Sequence, residues 1–224
     1  IPSRLWQLAA LGTVADVGTM IGENRILVRL GIAGMKQTSE PGIAWLAKVA
    51  KVDLQTINSD TLSFRLIPRL NAAGRLGHAS ISLDLLTTND REQARRIADT
   101  LDRLNSQRQK ITEEAMVEAR HQVSTGGGNT SSVIMVGHQD WIPGILGLIA
   151  SRLSDEHNRP VVAMKKEKKT TRASARSIDG VDIHAVLDRS GVEFLRFGGH
   201  AQAAGFTIDN RKVDQLKNAL AGRD

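Results

Sequence analysis

More than thirty consecutive residues, from Asn89 to about Val123, keep helical spacing, with Ile97, Leu101, Leu104, Ile111 and Ala115 recurring on one face. Asn89 stands where an N-cap belongs, and Glu92 follows three residues on, as in a capping box. At ~1.5 Å per residue such a helix is about 50 Å long. That is too long for the interior of a small domain and suits a strut joining two. The helix is expected to stop at Ser124-Thr125-Gly126-Gly127-Gly128-Asn129, a glycine-rich joint. The predicted division is therefore 1–88, a connecting helix over 89–125, and a second domain over 129–224.

Before the long helix, Leu5 to Val17 is almost continuously apolar and reads as a buried helix or strand, with turns near Gly12 and Gly18. Helical segments follow from about Asn24 to Met35 and from Pro41 to Val52, where Pro suits a first helical position. Phe64 to His78 carries Pro68, Gly74 and Gly77 among basic residues and reads as a loop-rich element. Beyond the joint the pattern changes to short alternating elements. Val133 to Val136 and Val161 to Met164 read as strands around a helix from Gly144 to His157, a unit that implies parallel pairing with a right-handed crossover. A polar strand around Arg172 to Ile178, a helix from Asp182 to Leu187, a glycine turn at Gly198-Gly199, a strand at Ala204 to Ile208 and a closing helix from Val213 complete it. The predicted class is α/β.

Composition narrows the function. The chain has 224 residues, 41% of them apolar, which is enough for a real core. No apolar run approaches the roughly 18 residues of a membrane span, and no signal peptide is visible. The start at Ile1, without Met, fits a chain cut from something longer. With no Cys, any metal must be held by Asp, Glu or His, which suits Mg²⁺ or Mn²⁺, and a cytoplasmic location is compatible. A net charge of +6 fits either a nucleic-acid partner or a Lys-rich solvated surface. Aromatics are only 3%, with no Tyr, so a base-stacking platform is not expected and any grip should be on the backbone.

Four places carry candidate chemistry. Asp16 is a lone carboxylate closing an apolar run; it is a metal ligand or simply a helix-cap or turn residue. The second is Phe64 to His78, where Arg65, Arg69, Arg75 and His78 occur with no Asp or Glu between Asp60 and Asp84. Small residues around Arg75 would let a phosphate approach, although an ordinary basic loop reads the same. The third spans Arg159 to Arg176, with seven Lys or Arg and one Glu. Lys165-Lys166-Glu167-Lys168-Lys169 reads as an exposed hairpin tip, while Ser174-Ala175-Arg176-Ser177 on a strand is a candidate phosphate clamp. The fourth is Phe197-Gly198-Gly199-His200, whose glycines would free backbone N–H groups for an anion, or form a tight turn.

The order of these segments resembles a known family, the RecJ-type single-stranded-DNA-specific exonucleases of the DHH phosphoesterase superfamily. The run ending at Asp16 resembles the superfamily's fourth metal-binding motif. Arg65 to His78 resembles the RecJ segment that reads approximately F-R-x-x-P-R-x-N-A-A-G-R. Asp140-Trp141-Ile142-Pro143-Gly144 with Ile149 to Leu153 resembles the start of the DHH-associated domain, and Ser174 to Ser177 and Gly198 to His200 resemble its two substrate-binding motifs. The resemblance implies the C-terminal part of a DHH catalytic domain, the long helix, and a DHH-associated domain with a mixed sheet.

It also implies a function: metal-dependent 5′-to-3′ hydrolysis of single-stranded DNA in repair and recombination, releasing 5′ mononucleotides. Two Mn²⁺ or Mg²⁺ ions would act in the complete enzyme. By the same resemblance Asp16 is a metal ligand, and Arg75 with Asn71 and Arg69 holds a phosphate near the metals. Ser174, Arg176, Gly198, Gly199 and His200 bind the terminal 5′ nucleotide, in a cleft between domains too narrow for duplex. The Asp-rich and Asp-His-His motifs are expected upstream of Ile1, so this chain alone should retain no metal pair and cut nothing. Two departures stand out: Ile142 where the family often has His, and Ala175 where many members have Gly, which bears on how closely a phosphate approaches. The rival readings are a noncatalytic nucleic-acid-binding module and a DHH phosphodiesterase acting on short oligonucleotides or cyclic dinucleotides.

Overall fold

The computed structural model describes residues 3–126 and 132–221. Two compact units divide the chain, Ile1–Gln109 and Lys110–Asp224. Among the described residues the first is entirely helical. It contains α1 (Ser3–Ala15), α2 (Gly22–Met35), α3 (Pro41–Val49), a single turn α4 (Ser59–Thr61), a π-helical turn (Leu62–Leu66), α5 (Ile67–Leu76), α6 (Ser80–Thr87) and the start of α7 (Arg91–Ser124).

Helix crossings in this unit are set by two glycines. A Cβ on Gly31 would collide with the Trp6 carbonyl and the Ala10 side chain, so α1 and α2 touch backbone to backbone there. A Cβ on Gly42 would meet the Leu85 carbonyl, which brings α3 against α6 in the same way. Around these crossings Ala10, Met35, Leu46, Leu62, Leu66, Leu85 and Leu101 are fully buried in one core.

The segment expected to be loop-rich, Phe64 to His78, is helical as far as Leu76 instead. Its proline and glycines sit where a helix tolerates them. Pro68 lies in the first turn of α5, and Gly77 is the C-cap.

The long helix runs over Arg91–Ser124. Its N-cap is Asp90, one residue later than expected, because the Asp90 carboxylate accepts from the Glu92 and Gln93 N–H groups at 2.7 and 3.0 Å. Those two donors hold the Asp90 carboxyl below its ordinary value. Ala94, Ala98 and Leu101 belong to the first unit's core, and Ala115, Met116, Ala119 and Val123 to that of the second. Of the expected glycine-rich joint, Ser124 to Gly126 end the helix; Gly127, Gly128 and Asn129 lie outside the described residues.

The second unit holds a five-stranded mixed sheet of order β1-β2-β3-β5-β4, made of β1 (Ile134–Gly137), β2 (Val161–Lys166), β3 (Thr170–Arg176), β4 (Arg196–His200) and β5 (Ala203–Asp209). β1 and β2 are parallel, joined through α8 (Pro143–His157), and the remaining pairs are antiparallel. The latter part of α7 and α8 pack on one face, around Ile134, Val136, Val161 and Ala163. The other face packs Val162, Met164, Ala173, Ala175, Ala204 and Phe206 beneath α9 (Ile183–Asp188) and α10 (Val213–Ala221). A 3-10 turn, Asn210–Lys212, leads into α10. The edge strand β1 is closed by Gln122, whose amide both accepts from Gly137 N–H at 3.0 Å and donates to its carbonyl at 3.2 Å.

The glycine turn expected at Gly198-Gly199 is not a turn. Both residues lie inside β4, paired with Gly205 and Ala204 of β5. The turn falls after His200 instead, at Ala201-Gln202.

Candidate nucleic-acid interface

Side chains alternate across a strand, so the register decides which of the predicted residues share a face. Ala173, Ala175, Ala204 and Phe206 point into the core beneath α9 and α10. Arg172, Ser174, Arg176, Gly205 and Thr207 therefore face the α8 side, as do Arg196, Gly198 and His200 on β4. The pairing sets them in rows. Arg176 lies beside Ala203, with His200 on its far side, and Ser174 beside Gly205, with Gly198 on its far side. The two sequence motifs, more than twenty residues apart, thus meet on one surface.

The middle row is a trough. Two of its three positions lack a side chain, and a Cβ on Gly198 would stand in open space. A crevice of about 390 Å³ opens there, lined by Ser174, Gly198 and Gly205 and bordered by Pro143 and Leu146 from the first turn of α8. Ile142, the N-cap of α8, offers no side-chain acceptor to that turn, and the positive end of the helix dipole favours an anion nearby. Ala175 introduces no obstacle, since its methyl is fully buried on the opposite face.

Arg176 is the electrostatic centre. Its Nη1 donates to Ser174 Oγ at 3.2 Å and to the Ala175 carbonyl at 2.8 Å. Among the described residues no carboxylate pairs with it. Burial pulls its guanidinium below the ordinary Arg value, the direction expected when a cation loses water without gaining a counter-charge. Gly147 of α8 leaves the room it occupies, since a Cβ there would sit 2.8 Å from Nη2. A half-buried, unneutralised guanidinium beside a hydroxyl and a glycine trough is chemistry suited to a phosphate.

Gly199 differs from Gly198. It has φ +152° and faces the other way, and a Cβ there would strike the Ala203 carbonyl and the Ala204 backbone. Its glycine is required by the close approach of β4 and β5, which gives it a packing role whether or not its backbone also meets a ligand. His200 is exposed at the end of β4.

Sequence reading missed Arg172, Thr207 and Arg196, which line the same crevice. The signal was available for two of them, because Arg172 lies two residues from Ser174 and Arg196 two from Gly198, the spacing of one strand face. A larger cavity, about 720 Å³, lies between α10 and the ends of β1 and β2; Lys166 lines it, and none of the residues assigned to substrate or metal does. Much of its polar wall is satisfied internally: Asn210 accepts from Thr171 and donates to the Glu167 carbonyl, and Gln122 is engaged by Gly137.

In the first unit, Asp16 is exposed just beyond the last residue of α1, at the negative end of that helix. The turn is tight: Gly18 N–H donates to the Thr13 carbonyl at 2.9 Å, and Val17 takes φ +54°, an unfavourable value for a β-branched residue. Among the described residues the Asp16 carboxylate has no cationic partner, so it is open to a metal ion. Among the same residues no group of three or more His, Asp or Glu is placed to hold one. Asp16 is a single ligand, and these residues do not by themselves fit a two-metal site.

Asn71 is exposed and Arg75 half-buried, one helical turn apart on α5. Arg69 is already engaged. Its Nε donates to Asp102 of α7 at 2.8 Å and its Nη1 to the Arg65 carbonyl at 2.6 Å. That pairing anchors α5 to α7. Arg65 donates to the Ala50 carbonyl at 2.8 Å. The π-helical turn before α5 is a rare element that recurs at functional sites.

Comparison with known proteins follows the same outline. Residues 129–222 match the DHHA1 domain. Over 98% of its length the chain is 35% identical to the single-stranded-DNA-specific exonuclease RecJ of Bacillus subtilis (strain 168), and over 94% it is 36% identical to that of Escherichia coli (strain K12). It spans only 28% and 38% of those two proteins. The crystal structure of RecJ in complex with Mn²⁺ from Thermus thermophilus superposes with a TM-score of 0.87 at 31% identity, covering 98% of this chain and 32% of that one.

Proposed function

Because the chain belongs to the RecJ family of single-stranded-DNA-specific exonucleases and spans about a third of its relatives' length, we propose that it supplies the strand-holding part of such an enzyme. In this reading the β3–β5–β4 face of the second unit grips the 5′-terminal phosphate of single-stranded DNA. Arg176 neutralises the phosphate, Ser174 and His200 donate to it, and Gly198 lets its oxygens approach the backbone. In the first unit Arg75 and Asn71 hold a phosphate and Asp16 contributes one ligand to divalent metal. The whole enzyme then hydrolyses phosphodiester bonds from the 5′ end and releases 5′ mononucleotides, in DNA repair and recombination in the cytoplasm.

When bound, two Mn²⁺ or Mg²⁺ ions supply an activated water and stabilise charge on the leaving oxygen. The residues of this chain position the strand and do not by themselves assemble that centre. The chain alone therefore binds and does not cut.

The observation that carries the proposal is the half-buried Arg176, without a carboxylate among the described residues, beside Ser174 and in the same cross-strand row as His200. The test is binding of a 5′-phosphorylated oligothymidylate to the purified chain. Arg176→Ala is expected to weaken it by about ten- to a hundredfold, the range for a lost hydrogen bond to a charged group. In the same samples the wild-type chain with Mn²⁺ is expected to leave the strand intact. Equal affinity of Arg176→Ala and wild type would overturn the assignment of the phosphate, and metal-dependent cleavage would overturn the binding-only role.

A further inference from the structure

The row beyond the trough carries a charge pattern that no motif announces. Lys165 on β2 pairs with Arg172 on β3, Arg172 with Thr207 on β5, and Thr207 with Arg196 on β4. Four strands thus set three cations and a hydroxyl in a line. Lys165 faces the α8 side by alternation from Val161 and Ala163, which pack there. Arg172, Thr207 and Arg196 line the same crevice as Ser174 and Gly198. Among the described residues neither Lys165 nor Arg196 has an acidic partner, and the exposed Arg172 has one long contact, 3.7 Å to half-buried Glu167. Lys165 and Arg172 are direct neighbours and Arg196 lies one strand further on, past Thr207, so the row is a positive stripe that favours an anion.

The spacing defines what that anion is. The row is four residues along β3 from Arg176, about 13 Å at the rise of a strand. That is the reach of roughly two backbone links in an extended single strand. We propose that Lys165, Arg172 and Arg196 form a second phosphate subsite, holding the internal phosphate two links in from the one held by Arg176. The inference rests on the reading of Arg176 given above and deepens it. A single terminal phosphate occupies the Arg176 row alone, whereas a strand of three or more nucleotides occupies both. The sheet face thereby selects polynucleotides over mononucleotides and dinucleotides.

The experiment is a length series. Affinities of the wild-type chain for 5′-phosphorylated oligothymidylates of one, two, three and four nucleotides are measured at several salt concentrations. Wild type is expected to gain at least fivefold on passing from two to three nucleotides. In the double variant Arg172→Ala/Arg196→Ala that gain is expected to shrink below twofold. The salt slope for the trimer should fall by about 0.7, the value for one single-strand phosphate. The double variant Arg172→Lys/Arg196→Lys keeps the charge and is expected to restore most of the gain. Binding weakened about ten- to a hundredfold in Arg176→Ala, with a length gain in wild type that the double variant leaves intact, would overturn the subsite while sustaining the Arg176 reading. Binding that ignores Arg176 at every length would overturn both.

Discussion

Two neighbouring glycines separate the roles a residue can have on this sheet face. Gly198 faces the trough with open space where a side chain would go, and Gly199 faces β5 with none. Gly198→Ala is therefore expected to leave the fold intact and to weaken binding of a 5′-phosphorylated strand, because its methyl takes up the space the ligand needs. Gly199→Ala forces a side chain against the Ala203 and Ala204 backbone at φ +152°, and is expected to cost about 1–3 kcal/mol of stability. Thermal unfolding and oligothymidylate binding on both variants separate the two outcomes. A Gly198→Ala chain that melts early and binds normally would reverse the assignment. The sequence pointed to both glycines but could not tell them apart, because only the pairing of β4 with β5 shows which way each faces. Arg69 is similar. Its basic charge and position beside Asn71 suggested a ligand contact, and only the structure shows Asp102 already 2.8 Å away.

At the scale of elements, the position of Asp16 depends on how α1 crosses α2. Gly31 is the point of closest approach, and Gly12, in the last turn of α1, has open space where a Cβ would stand. Gly31→Ala is expected to destabilise the chain by about 1–3 kcal/mol through overpacking. Gly12→Ala is expected to stabilise it by roughly 0.5–1 kcal/mol through helix propensity. Urea midpoints measured side by side check the contrast, and a Gly31→Ala chain as stable as wild type would show that the helices can separate at that crossing. Most elements were legible in advance because amphipathic spacing and caps are local: the long helix, α8 and the alternating strands all fall within a few residues of expectation. The failures have a common cause. Pro68, Gly77 and the Gly198-Gly199 pair were read as breakers, and whether a proline or glycine breaks an element depends on where in that element it stands.

For the whole molecule, the family resemblance singled out the motifs that share one sheet face, while the sheet register supplied what the sequence could not. Residues 165, 172, 207 and 196 are scattered over more than forty positions, and only strand order β2-β3-β5-β4 aligns them. A net charge of +6 is in this light less informative than its placement, since three of those cations share one row with little acid beside them. The most direct test of the account is a titration of the isotopically labelled chain with a 5′-phosphorylated thymidine trinucleotide, followed by amide chemical shifts. The account predicts that Ser174, Arg176, Gly198, His200 and Gly205 move together and saturate at one ligand per chain. Shifts confined to the Lys166–Lys169 tip or to the cavity beside α10, with those five residues unmoved, would contradict it.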